Sequence, residues 1–244
     1  MPNTPLDNLS DEAHVWFVNP ESIKNAISLK KCESMLSDVE RMQYNRFRFP
    51  DDRQCYLAAH ALIRGVLSTY IDSPPAAWTF EKNTRGKPEI SNPGIPSLRF
   101  NLTHTAGLAA CVIALDNACG IDAEKLQKRN NLAGVAKRMF SEQEYGHVKD
   151  LTGTDQLEYF LEQWTLREAY VKARGIGISF PTRSLQFCDS SEKGINVKFA
   201  PDIDDNPSTW QFHIFRPTNS HVAAVALKLQ PGTRKRIVAR SFEL

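Results

Sequence analysis

The chain is 244 residues long, 41% hydrophobic, 24% charged and 9% aromatic, with 30 Lys and Arg against 28 Asp and Glu. That is enough apolar material to bury a core in one large domain or two small ones, and it excludes disorder as the main state. A net charge of +2 gives no overall field to gather nucleic acid or anionic lipid, so any anion binding has to come from local clusters.

The polar N-terminus, Met1 to Glu12, has no basic segment followed by an apolar one, so no secretory signal is expected. The five cysteines, Cys32, Cys55, Cys111, Cys119 and Cys188, show no CxxC pair and no zinc spacing. Their odd number argues against a secreted disulfide framework, and they read as reduced thiols of a soluble, cytoplasmic protein. The longest apolar runs, Leu108 to Leu115 and Val222 to Leu227, fall far short of the ~20 residues that cross a bilayer. Both read as buried strands.

Along the chain, one order of elements occurs twice. Ser37-Asp38-Val39-Glu40 and Ser141-Glu142-Gln143-Glu144 are Ser-x-x-Glu capping signatures, 104 residues apart. A long helical pattern follows each, through Tyr56, Leu57, Ala61 and Ile63 in one case and Phe160, Leu161, Trp164 and Val171 in the other. Both are expected to stop at Arg-Gly, Arg64-Gly65 and Arg174-Gly175, an offset of 110. Single strands around Trp78 to Glu81 and Leu185 to Cys188 come next, then hairpins around Phe100 to Leu115 and Phe215 to Leu227, at offsets near 107 and 112. Turn-formers at Ser73-Pro74-Pro75, Asn92 to Pro96, Asp116-Asn117 and Asp202 to Pro207 separate these elements. The pattern predicts an α+β protein of two pseudo-duplicated halves with antiparallel sheets, residues 1–117 and 118–244, with the active site in the crevice between them. The basic run Arg234-Lys235-Arg236 reads as a solvated end.

Carboxylates stand where a core is expected. The second long helix, Leu157 to Arg174, has an apolar stripe at Leu157, Phe160, Leu161, Trp164 and Val171 that is interrupted by Glu168, with Lys172 one turn later on the same side. An unpaired buried carboxylate is costly, which marks this one as functional. In Gly120-Ile121-Asp122-Ala123-Glu124, an extended backbone would put Asp122 and Glu124 on one face, whereas an exposed turn would give them no common role. Hard oxygen donors from Asp122, Glu124 and Glu168 suit Mg²⁺ beside phosphate oxygens.

Cations gather in the first half. Arg41, Arg46, Arg48 and Arg53 crowd around Phe47 and Phe49, partly offset by Asp51 and Asp52; Lys82, Arg85 and Lys87 surround the turn Gly86-Lys87-Pro88. Phe100-Asn101-Leu102-Thr103-His104-Thr105 sets His104 between two hydroxyls at a strand end. No Walker loop and no GxGxxG fingerprint is present, which argues against an ordinary P-loop or Rossmann site.

Taken in order, Gly86-Lys87-Pro88, Phe100 to Thr105, Gly120 to Glu124, Phe140 to Tyr145 and Trp164 to Lys172 resemble the 4′-phosphopantetheinyl transferases of the two-halved, monomeric type, over about Glu40 to Ser179. The paired GIDxE and WxxxExxxK elements are specific to that family; GKP and Ser-x-x-Glu alone are not. The resemblance implies transfer of the phosphopantetheine arm of coenzyme A to a serine of an apo acyl or peptidyl carrier protein, in fatty acid, polyketide, nonribosomal peptide or siderophore synthesis, with release of adenosine 3′,5′-bisphosphate. It implies Mg²⁺, or Mn²⁺, at Asp122, Glu124 and Glu168. It also implies coenzyme A held by Lys87, Thr103, His104, Lys172 and the arginines of segment 41–53, and catalysis by Glu168 as base with Asp122 and Lys172. Two departures stand out: Arg167 replaces the usual lysine before Glu168, and Leu102, Thr103 and Thr105 are mild replacements in an element often read as FNISHS. A non-catalytic coenzyme A or carrier-binding module and a phosphohydrolase using the same acidic cluster are the alternatives.

Overall fold

In the computed structural model of the chain, residues 5–177, 180–190 and 194–244 are described; Ser179, where the family resemblance ends, lies outside them. Two units emerge, residues 1–117 with 235–244 and residues 118–234.

In the first unit, strand β1 (Glu12–Val18) leads to helices α1 (Ala26–Met35), α2 (Asp38–Tyr44) and α3 (Pro50–Tyr70). A small antiparallel hairpin, β2 (Phe80–Lys82) and β3 (Pro88–Ile90), and a larger one, β4 (Leu98–Thr105) and β5 (Leu108–Leu115), complete it. The second unit repeats the order. Strand β6 (Cys119–Lys125) is followed by helices α4 (Leu132–Met139), α5 (Glu142–Asp150) and α6 (Gly153–Arg174), then hairpins β7 (Leu185–Ser190) with β8 (Gly194–Phe199) and β9 (Trp210–Thr218) with β10 (His221–Lys228). The apolar runs read as buried strands become the central strands: β5 lies between β1 and β4, and β10 between β6 and β9. A strand buried on both faces has no need of polar alternation, which is why both are continuously apolar. None of the described helices is long and apolar enough to cross a membrane.

A buried ion pair in each unit fixes how the helices meet. Ser37 and Ser141 cap α2 and α5, and Glu40 and Glu144 reach back to the serine backbone N–H, each at 2.9 Å. Each glutamate also accepts from an arginine of the following long helix, Arg64 to Glu40 at 2.6 Å and Arg167 to Glu144. Both arginines then donate to the chain entering the next hairpin, Arg64 to the carbonyl of Trp78 at 2.8 Å and Arg167 to that of Leu185 at 2.9 Å. Buried charges tolerate this only because nearly every donor is used.

These pairs correct the expected alignment of the halves. The counterpart of Arg64 is Arg167, not Arg174, and α3 does not stop at Gly65 but continues to Tyr70. Only α6 ends at its Arg-Gly, with Gly175 at φ 62 in the left-handed region. Gly65 answers a different need: a Cβ there would stand 2.6 Å from Cζ of Phe242. Phe242 follows a last strand, β11 (Arg236–Ser241), which pairs parallel with β1 and makes the first sheet mixed, in the order β11-β1-β5-β4. The expected division therefore changes: residues 235–244 join the first unit, not the second. The run read as a solvated end begins that strand, with Lys235 donating to the carbonyl of Leu9 at 2.6 Å and Arg236 paired with Glu12.

The core of the second unit is also split along α6. Its N-terminal half, at Phe160 and Leu161, packs with α4 and α5, whereas Leu166, Ala169, Tyr170 and Ala173 pack with β7, β9 and β10. The sequence stripe registers mainly the first of these faces, with only Val171 on the second.

Replacing Arg167 with Ala should cost about 3–5 kcal/mol in urea denaturation, because it strands a buried glutamate. Removing Arg183, an exposed partner of the exposed Glu142, should leave the unfolding midpoint almost unchanged. Burial pushes the Glu40 carboxyl up, but hydrogen bonds from His60, Arg64 and Ser37 outweigh it and hold the group at about 2, below its ordinary 4.5. A depressed carboxyl stabilises the fold above pH 4.5 and loses that contribution as the pH falls toward about 2. Melting curves recorded between pH 6 and pH 2.5 should therefore drop more steeply for the wild-type chain than for Glu40→Gln.

Candidate active site

Strand β6 gives Asp122 and Glu124 one face, because strand side chains alternate; the exposed-turn reading is excluded. Helix α6 lies against this strand so closely that a Cβ on Gly120 would be 2.0 Å from the carbonyl oxygen of Ala169 and 2.5 Å from the nitrogen of Ala173. Glycine is required for that approach. Its consequence is that the turn carrying Glu168 and Lys172 comes to the carboxylates of β6. Lys172 Nζ donates to Asp122 Oδ1 at 2.6 Å.

The electrostatics of the cluster are those of crowded like charges. The Asp122 carboxyl is raised to about 6: burial pushes it up most, Lys172 pulls it down, and Glu124 and Glu168 push it up. Burial likewise raises Glu168, with Lys172 lowering it and Glu124 raising it. Each carboxylate is thus felt by its neighbours, yet among the described residues no three acidic, histidine or cysteine groups already converge as a metal cage. Two cations stand at the carboxylates instead. Lys172 is on Asp122, and Arg129 donates to Glu124 at 2.5 Å. Arg129 escaped the sequence reading, since a lone arginine five residues beyond Glu124 in a turn-like segment carries no pattern.

Arg167, the departure from the usual lysine beside Glu168, takes no part in this cluster. It points the other way, fully buried, and donates to Glu144, Gln163, the Met139 carbonyl and the Leu185 carbonyl while its guanidinium lies over Phe140. A forked five-donor group satisfies all of these at once, which an ammonium cannot.

The other expected residues lie in the first unit. Lys87 is at the β2–β3 turn, where the Asn83 side chain accepts from its backbone N–H at 3.0 Å. Thr103 is buried and His104 exposed near the end of β4. All four arginines of the segment are exposed; Arg41 donates to the carbonyls of Glu33 and Leu36 at the end of α1, and Arg53 to that of Phe47 at 2.8 Å. The segment therefore uses two of its four arginines to hold its own backbone.

Comparison with known proteins gives matches along most of the chain. A family model described as the 4′-phosphopantetheinyl transferase superfamily matches residues 118–226, and one described as 4′-phosphopantetheinyl transferase, N-terminal, matches residues 25–115. The 4′-phosphopantetheinyl transferase HetI of Nostoc sp. is 32% identical over 232 residues, 93% of this chain and 92% of its own. The 4′-phosphopantetheinyl transferase psf-1 of Bacillus pumilus is 34% identical over 229 residues, 93% of this chain and 91% of its own. Sfp of Bacillus subtilis is 31% identical over 152 residues, 62% of this chain and 65% of its own.

A carboxyl raised above its unfolded value favours folding at low pH and loses that contribution as the pH rises through the folded value. Asp122→Asn should accordingly melt higher than wild type at pH 7.5 in metal-free buffer, and the difference should vanish below about pH 4, the ordinary range for an aspartate. Differential scanning calorimetry across that range checks both the sign and the window.

Proposed function

Because the chain belongs to the 4′-phosphopantetheinyl transferase superfamily and is an enzyme of that kind, we propose that it moves the phosphopantetheine arm of coenzyme A onto a serine hydroxyl of an apo acyl or peptidyl carrier protein, releasing adenosine 3′,5′-bisphosphate. The observation that carries the reading is the triad of Asp122, Glu124 and Glu168 on β6 and α6, with Lys172 one turn beyond the glutamate.

Glu168 is the general base. Its carboxyl is raised toward the working pH, as a group that must both take and release a proton requires, and it receives the proton of the carrier serine directly or through a water. The serine oxygen then attacks the β-phosphorus of coenzyme A, and the bond to the departing bisphosphate oxygen breaks. Lys172, held beside the cluster by α6, stabilises the charge that grows on that leaving group. Asp122, Glu124 and Glu168 would hold Mg²⁺: their donors are hard oxygens and their mutual repulsion calls for a cation. When bound, Mg²⁺ supplies charge neutralisation of the pyrophosphate.

For coenzyme A, Lys87, Thr103 and His104 are assigned with the exposed Arg46 and Arg48; Arg41 and Arg53 contribute less, since each already holds a carbonyl. The chain is assigned to act as a monomer in the cytoplasm, a setting with which five cysteines outside any disulfide agree.

Incubating coenzyme A, Mg²⁺ and an apo carrier with the enzyme and weighing the carrier tests the function. A mass gain of one phosphopantetheine arm is expected, and Glu168→Gln should slow it about 10²–10⁴-fold while leaving the far-ultraviolet spectrum intact. Wild-type rates in that variant would remove Glu168 as base, and bisphosphate release without carrier gain would make the enzyme a hydrolase.

A further inference from the structure

The acidic cluster is partly neutralised by two side chains of its own unit. Lys172 and Arg129 bring two positive charges to three carboxylates, the same charge that a divalent cation would bring. We propose that Arg129 is a resident counter-ion of Glu124 that a divalent cation must displace, and that it thereby sets the affinity of this chain for its metal. The inference rests on the assignment of the metal to Asp122, Glu124 and Glu168.

The two cations are not equally fixed. Lys172 projects from the last turn of a 22-residue helix onto a carboxylate whose side chain is 9% exposed. Arg129 belongs to residues 126–131, which are neither helix nor strand. That segment is tied at Leu126, whose N–H donates to the Ser220 carbonyl at 2.8 Å, and at Asn131, whose carbonyl accepts from Val135 at 3.1 Å. Arg129 sits between the two anchors. Its ion pair is partly wet, with side chains 30% and 20% exposed, so water and salt weaken it and can replace it. The guanidinium also has somewhere to go. With Lys128, Leu132, Thr154 and Leu157 it lines an open cleft of about 390 Å³, so releasing Glu124 requires a rotation of the side chain and not a rebuilding of the fold.

Cation competition at one carboxylate has a simple signature. A metal that must evict Arg129 binds less tightly than one that finds Glu124 already vacated, and any side chain that keeps the positive charge keeps the competition. The neighbouring carboxylates remain in place in either case.

Calorimetric titration of the metal-free chain with Mn²⁺ decides the matter without an activity measurement. Arg129→Ala should bind Mn²⁺ about two- to fivefold tighter than wild type, the range spanned by partly exposed ion pairs. Arg129→Lys should stay near wild type, and Glu124→Gln should bind more weakly. Unchanged or weaker binding by Arg129→Ala, or equal binding by the Ala and Lys variants, would overturn the counter-ion role while a weakened Glu124→Gln left the metal assignment standing. If Glu124→Gln bound Mn²⁺ as wild type does, the metal assignment itself would fail and the inference with it.

Discussion

A glutamate that caps one helix and grips an arginine of the next is the interaction on which each unit is built. In the first unit Glu40 accepts from the Ser37 backbone, His60 and Arg64; in the second Glu144 accepts from the Ser141 backbone, Arg167 and the Phe187 N–H. One carboxylate thereby sets the start of a short helix, the rotation of a long one and the entry to a hairpin. The rotation matters most. With Arg167 turned inward to Glu144, the next residue, Glu168, is turned toward β6 and Asp122, and Lys172 follows one turn later on the same side. The buried pair and the acidic cluster are thus two faces of one helical phase.

The same pair shows how far the two units have diverged. The residue after the gripping arginine is Glu168 in the second unit and Gly65 in the first, where Phe242 occupies the space beside it and lies edge-on to Trp16 at 6.1 Å. One unit keeps a crowd of carboxylates at this point and the other fills it with aromatic rings. The first choice is destabilising by itself, since burial and repulsion both raise Asp122. The second is ordinary core packing. A protein tolerates such repulsion where it serves chemistry and removes it where it does not.

Much of this was legible in the sequence wherever the cause was local. The capping boxes at Ser37 and Ser141, the central strands at Leu108 and Val222, and the common face of Asp122 and Glu124 all follow from short-range spacing. The break after Asp116-Asn117 follows from turn chemistry. What sequence could not carry depends on partners far away. Arg64-Gly65 has the local form of a helix end, yet its glycine serves a ring near the other end of the chain. Arg234-Lys235-Arg236 has the form of a solvated run, yet Lys235 and Arg236 find Leu9 and Glu12. Arg129 looks like any loop arginine until Glu124 is seen beside it. Arg167, conspicuous as a departure beside Glu168, proves to belong to the core.

The return of β11 to β1 also orders events in time. Every other strand of the first sheet is made before residue 116, but its outer strand begins at Arg236, after the whole second unit. At ~5–20 residues per second of synthesis, β1 presents an unpaired edge for on the order of ten seconds while the ribosome works through the second unit. Such an edge is a template for any passing strand. That edge of β1 therefore stays without its parallel neighbour until β11 has been made.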